Sequence, residues 1–150
     1  MSGYVELHAH SYYSLLDGVP SPEDLVQRAV EVEMPAVALT DHDALYGAPR
    51  FDRAARAAGI KPIFGAEITL VNGGGHLTLL AETDQGYANL CRLITLARRD
   101  QHKGFAALPW RLLANHHDGL IALSGCRRSE IAQALLKRNQ AEPAALGGDR

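Results

Sequence analysis

Apolar residues along this chain cluster in short runs separated by longer stretches in which apolar and polar positions alternate with helical spacing. Ala36-Val37-Ala38-Leu39-Thr40 is a continuous apolar run of the kind found in a strand covered on both faces. Gly119-Leu120-Ile121-Ala122-Leu123 has the same character and predicts another buried strand. Tyr4–His8, Pro62–Ala66 and Leu77–Ala81 read as further short strands, and Gly73-Gly74-Gly75 reads as a hairpin or loop. Ser21-Pro22-Glu23-Asp24 supplies an N-cap, a first-turn proline and early acidic residues for a helix running through Glu33, with Leu25, Ala29 and Val32 as its apolar face. Ala48–Ala58 is helical and stopped by Gly59. Asp84–Arg98 is helical with Tyr87, Leu90, Leu93, Ile94 and Ala97 inward, Trp110–Ala114 is a short helix, and Ser129–Arg138 is a last one.

This order alternates strand and helix throughout and predicts an α/β protein with a parallel sheet. About five strands can be counted, whereas a closed α/β barrel has eight and typically needs roughly 250 residues. The expectation is a smaller open sheet or the front portion of a longer barrel, with residues 1–140 as one partial domain. Residues 141–150 mix Pro, Gly and small residues without apolar periodicity and read as a loose tail.

Composition narrows the class. With 150 residues, 47% hydrophobic and 21% charged, the chain has the material for one globular core. A formal net charge of −2 gives no reason to expect bulk, sequence-independent adhesion to nucleic acid, so any DNA contact must be local. The absence of a run of about 18 apolar residues and of a basic, apolar leader argues against a membrane span or secretory signal and makes the cytoplasm the default location. The two cysteines, Cys91 and Cys126, are far apart in different contexts, which favours thiols over a disulfide. Cys91 lies mid-helix beside Leu90 and Leu93 and is assigned to packing.

Chemistry-bearing residues gather at strand ends. His8 and His10 are two apart, so an extended backbone projects both imidazoles to one side, where they can share a metal; two surface histidines are the plain alternative. Asp17 precedes Gly18 and reads by itself as part of a turn. Thr40-Asp41-His42-Asp43 follows directly on a buried strand, the place where α/β proteins put their chemistry. His42 is the favoured ligand there, with Asp41 and Asp43 either orienting imidazoles or standing as solvated loop acids. Glu67 falls inside an apolar stretch, where an isolated carboxylate is costly without a cation or hydrogen-bond partner. His76 reads from pattern as the polar first residue of a strand, while Cys126, at a strand terminus, is either a buried structural thiol or a soft ligand. His102, His116 and His117 fall in polar connections and read as solvent-facing. Several carboxylates and imidazoles around hard or borderline cations provide Lewis acidity, hydroxide near neutral pH and a clamp on the oxygens of phosphoryl transfer. No Gly-x-x-x-x-Gly-Lys loop competes with this reading.

The segments Tyr4-Val5-Glu6-Leu7-His8-Ala9-His10-Ser11, Leu15-Leu16-Asp17-Gly18, Leu39-Thr40-Asp41-His42-Asp43 and Phe64-Gly65-Ala66-Glu67 resemble the polymerase and histidinol phosphatase (PHP) domain. His76-Leu77-Thr78-Leu79-Leu80-Ala81, Gly86-Tyr87-Ala88-Asn89-Leu90 and Ala122-Leu123-Ser124-Gly125-Cys126 look like the version at the N-terminus of bacterial DNA polymerase III alpha subunits. Glu6, Ala9 and Ser21-Pro22-Glu23-Asp24-Leu25 look closest to the error-prone, damage-tolerant branch. The resemblance covers Tyr4 to Leu136. It implies a distorted (β/α)7 barrel, here truncated, with up to three divalent metals (Zn, Mn or Fe). The implied ligands are His8, His10, Asp17, His42, Glu67, His76 and Cys126, with Glu67 similar to the carboxylate that bridges metals. His76 thereby changes from a strand-end residue to a ligand. The family's closing Asp-x-His pair has no counterpart after Cys126, since the only later Asp is Asp149 and no His follows His117.

The resemblance implies a parent error-prone DNA polymerase acting in replication and damage tolerance, with DNA, the rest of the polymerase chain and accessory proteins as partners. It further implies a site that in relatives with a full ligand set hydrolyses DNA from its 3′ end, His10 and His42 being the residues to manage protons. Two alternatives stand beside it: a metal-stabilised interaction module without hydrolysis, and a freestanding phosphatase for a small monoester.

Overall fold

In the computed structural model, the described residues are 3–71, 75–124 and Leu136. The helix expected over Ser129–Arg138, apart from helical Leu136, and the tail 141–150 lie outside them.

The elements are α1 (Pro22–Glu31), β1 (Ala36–Leu39), α2 (Ala48–Ala58), β2 (Lys61–Thr69), β3 (His76–Ala81), α3 (Asp84–Arg99), α4 (Trp110–Asn115) and β4 (Leu120–Leu123). The caps act as the sequence implies. Ser21 Oγ accepts from Asp24 N at 3.1 Å while Asp24 Oδ2 accepts from Ser21 N at 2.9 Å, a reciprocal capping box that satisfies helix-end donors. Thr83 caps α3 by accepting from Gly86 N at 3.1 Å.

The strands lie in the order β1-β2-β3-β4. β1 and β2 are parallel, as the α2 crossover requires, but β2–β3 and β3–β4 are antiparallel, correcting the expectation of a parallel sheet. The reason is the connection: β2 runs on to Thr69 and β3 starts at His76, too short a link for a crossover helix, so the chain turns back on itself. The N-terminal segment forms no extended strand. It is held beside β1 by a parallel bridge from Glu6 to Val37, with Ala38 N donating to Glu6 O and Thr40 N to Ala9 O, both at 2.8 Å.

Two apolar clusters sit under the helices. Val26, Ala29, Val37, Leu39, Phe51, Ala55 and Ile60 join α1 and α2 to β1, with Val26 rather than Val32 as the buried partner of Ala29 on α1. Ala66, Ile68, Leu79, Leu90, Leu93 and Leu108 join α3 to β2 and β3. All of β1 is buried, as its unbroken apolar run implies. β4 is not: Ile121 and Ala122 are exposed, because among the described residues β4 pairs only with β3 and its outer edge is uncovered.

Because side chains alternate across a strand, Ala66 and Ile68 enter the core and Glu67 faces the opposite side of the sheet. That opposite face is apolar at one end, where Ile63, Leu80, Ile121 and Leu123 help line a groove of about 810 Å³. Its other end carries the histidines.

Gly86 shows how tightly α3 meets the β4 approach: a Cβ there would lie 1.8 Å from the backbone oxygen of Gly119. Gly86→Ala is therefore expected to destabilise the chain by about 1–3 kcal/mol. Ala88→Ser, at an exposed position two residues on, should stay within about 0.5 kcal/mol. Parallel chemical denaturation of the two variants reads the difference.

Candidate metal centre

The parallel pairing that begins at Ala36↔Lys61 continues beyond β1 in the same register to a bridge between His42 and Glu67. Asp43 N donates to Glu67 O at 2.9 Å and Glu67 N to Asp41 O at 3.1 Å, so backbone hydrogen bonding sets the His42 imidazole and the Glu67 carboxylate side by side. On the other flank, β2 and β3 pair Thr69 with His76 and Glu67 with Thr78. His76 is thus the diagonal neighbour of Glu67 on one face, close enough for side-chain contact. The N-terminal segment, on the far side of β1, adds His8 and His10.

The result is a carboxylate ringed by four imidazoles. Glu67 is only 2% exposed. Its Oε2 contacts His8 Nε2 and lies 3.5 Å from His10 Nε2. Its Oε1 contacts His76 Nδ1 and lies 3.6 Å from His42 Nδ1. The His10 and His42 rings stack with centroids 4.5 Å apart, and Asp17 Oδ2 approaches His42 Nε2 at 3.2 Å. Burial pushes the Glu67 carboxyl up, but hydrogen bonds from His10 and His76 and the charges of His42 and His8 outweigh it and hold the pKa at about 2. The same hydrogen bond to Glu67 raises His10, against the desolvation that lowers it. Desolvation dominates at His42 and lowers its pKa.

Six of the seven expected ligands therefore gather at one end of one sheet face: His8, His10, Asp17, His42, Glu67 and His76. Cys126 lies outside the described residues. Of the remaining histidines, His102 and His117 are exposed, as expected, and His116 is partly buried.

Asp41 and Asp43 are neither solvated loop acids nor direct imidazole partners. Asp41, 1% exposed, accepts from Ser11 N, Ser11 Oγ and Ser14 Oγ, each at 2.7 Å. Asp43 accepts from Thr69 N at 2.9 Å and Thr69 Oγ1 at 2.7 Å. One carboxylate ties down the loop that follows His10 and the other ties the end of β2. Sequence reasoning missed Ser11 and Ser14; the only local signal was two small hydroxyl residues following the His-x-His pair. That loop closes tightly, with Gly18 N and Asp17 N both donating to Ser14 O. A Cβ at Gly18 would fall 1.8 Å from Ser11 O, so only glycine allows the return that delivers Asp17. Arg50 anchors the loop from outside, bonding Tyr12 Oη and, at 2.8 Å, Glu23 Oε1.

Two donor groups share Glu67: His8, His10 and Glu67, and His42, Glu67 and His76, the ligand atoms within each lying within 4.8 Å of one another. Imidazole nitrogens and a carboxylate converging on common points form an N/O set suited to zinc, manganese or iron. One oxygen of Glu67 faces each group, Oε2 toward His8 and His10 and Oε1 toward His42 and His76.

The chain belongs to the PHP domain family, whose profile matches residues 6–146. It is 49% identical to an error-prone DNA polymerase of Symbiobacterium thermophilum over 95% of this chain and 14% of that protein. It is also 39% identical to a DNA polymerase III subunit alpha of Chlamydia pneumoniae over 92% of this chain and 12% of that one. The chain thus spans about one-eighth of the length of the curated relatives it matches. A solved two-domain protein of Bacteroides vulgatus, described as containing a PHP-like metal-dependent phosphoesterase, shares the fold with a TM-score of 0.53 and 18% identity. That match covers 90% of this chain and 41% of that one. The four-stranded mixed sheet with its helices is consistent with part of a PHP barrel.

In the metal-free chain, the depressed pKa of Glu67 contributes stability that is complete above the ordinary carboxylate value of 4.5 and is lost as pH falls toward about 2. Glu67→Gln lacks this contribution. The stability difference between wild type and Glu67→Gln is therefore expected to shrink as pH falls through that window, as read by urea denaturation at a series of pH values.

Proposed function

We propose that this chain is the PHP segment of an error-prone bacterial DNA polymerase III alpha chain and carries most of a polynuclear metal site for phosphodiester hydrolysis at the 3′ end of DNA. The observation that carries this reading is the convergence of four imidazoles on one buried carboxylate, in a chain similar to polymerases of both named kinds. His8, His10, Asp17, His42, Glu67 and His76 would hold the ions, with Cys126 as a further ligand. Bound divalent ions would supply Lewis acidity toward the phosphate oxygens and make water acidic enough to act near neutral pH.

The chain's own residues do the rest. Glu67, ionised and buried, keeps the imidazoles pointed at shared positions. His10 and His42, on the shell of the site, are the residues we assign to proton handling. Asp17 is half exposed and His8, His10, His42 and His76 are partly exposed, so the site opens to solvent. The parent protein would act on DNA in replication and damage tolerance, beside the rest of its own chain and accessory proteins, in the cytoplasm. No helix among the described residues is long and apolar enough to cross a membrane.

Elemental analysis after native purification, with thermal unfolding before and after chelation, tests the site. Bound Zn, Mn or Fe is expected, and its removal should cost about 3 kcal/mol at ion concentrations near 100 times the Kd. A folded chain free of metal would overturn the metal-site reading. Hydrolysis is tested separately on single-stranded DNA labelled at its 5′ end. Shortening from the 3′ end that vanishes in His8→Ala supports catalysis. Metal-dependent stability with no shortening in the wild type, and large destabilisation by Asp17→Ala and Glu67→Ala, would instead make the domain a metal-stabilised interaction module.

A further inference from the structure

The hydroxyl of Ser14 sits between two histidines of the cluster and one buried carboxylate. Ser14 is 1% exposed. Its Oγ lies 2.7 Å from Asp41 Oδ1, 3.1 Å from the backbone N of His42 and 3.5 Å from His10 Nδ1. A carboxylate only accepts, so the single hydroxyl proton of Ser14 goes to Asp41. Both lone pairs of Oγ are then left for donors. The His42 N–H takes one, and the other faces His10 Nδ1. Only an imidazole protonated at Nδ1 can complete that arrangement, and a backbone hydrogen bond to Thr40 also acts on the His10 ring. Its Nε2 lies on the opposite edge of the ring, directed at Glu67 Oε2 across 3.5 Å, in the position a ligand nitrogen needs.

We infer that Ser14, oriented by Asp41, is a positioning residue that holds His10 in the Nδ1–H form and so assigns Nε2 as the nitrogen offered to a metal. The inference rests on the metal-site reading above. Through its bond to His42 N, the same oxygen also fixes the backbone that carries the neighbouring imidazole. The arrangement is the counterpart of the carboxylate and carbonyl acceptors that fix histidine tautomers at metal sites generally, with a hydroxyl relaying the carboxylate.

The test uses the full 150-residue chain loaded with zinc and labelled with 15N-histidine, followed by NMR of the ring nitrogens and competition titration of metal affinity. In the wild type, His10 is expected to carry a slowly exchanging proton on Nδ1 and to bind zinc through Nε2. Ser14→Ala should expose that proton to rapid exchange and weaken zinc binding about 10-fold. Ser14→Thr, which keeps the hydroxyl, should recover both. Zinc bound through His10 Nδ1 in the wild type overturns the inference, and this arm needs no variant to fold. A folded Ser14→Ala chain with unchanged ring spectrum and affinity overturns it equally. A chain that takes up no zinc removes the metal-site reading and this one with it, whereas zinc uptake indifferent to Ser14 removes only this one.

Discussion

One buried charge organises this domain. An ionised carboxylate taken out of water costs several kcal/mol unless opposite charge or hydrogen-bond donors replace the lost hydration, and Glu67 is almost wholly out of water. The compensation comes from four imidazoles on three different stretches of chain. Each stretch must be delivered to the same place. The parallel register of β1 and β2, continued past the end of β1 to the His42–Glu67 bridge, and the antiparallel return of β3 deliver two of them.

The parts of the chain that deliver those imidazoles are only partly regular structure. His10 and Asp17 sit on a loop outside the strand ladders, tied down by its own backbone hydrogen bonds and by the Asp41 carboxylate, which accepts three hydrogen bonds from Ser11 and Ser14. Asp43 performs the equivalent service at the end of β2. The acidic residues flanking His42 thus support the cluster through backbone and hydroxyl groups. Such buried polar networks fix geometry when every member is satisfied. The pKa values of His10 and His42 move in opposite directions, since the hydrogen bond to Glu67 dominates the first and desolvation the second.

The sheet face that bears the cluster changes character along its length. Beyond the histidines it becomes apolar, and Ile63, Leu80, Ile121 and Leu123 line an open groove that contains no part of the cluster. Polar chemistry at the strand ends and an apolar floor beneath it is the division of labour seen in α/β barrels, and it agrees with membership of the PHP family.

Local periodicity and spacing made much of this legible in the sequence. The buried run Ala36–Thr40, the capped helix after Ser21, the helix over Ala48–Ala58 and the His8-x-His10 pair each depend on near neighbours, so their signals survive in the linear chain. The oddity of a carboxylate at Glu67 inside an apolar stretch was visible for the same reason. Strand direction was not: a loop after β2 permits a hairpin or a crossover until the partner is known. Nor was the exposure of β4, because burial depends on what lies across an edge, and its apolar residues look the same covered or bare. His76 was a plain strand-opening residue by pattern, and only the family resemblance suggested otherwise. The roles of Asp41, Ser11 and Ser14 were hidden altogether, since the partners are 27 and 30 residues apart and a short polar side chain carries no mark of which backbone it will hold. Sequence by itself determined which residues could do the chemistry; the tertiary structure alone decided which of them meet, because register and loop closure are long-range events that residue identity only permits.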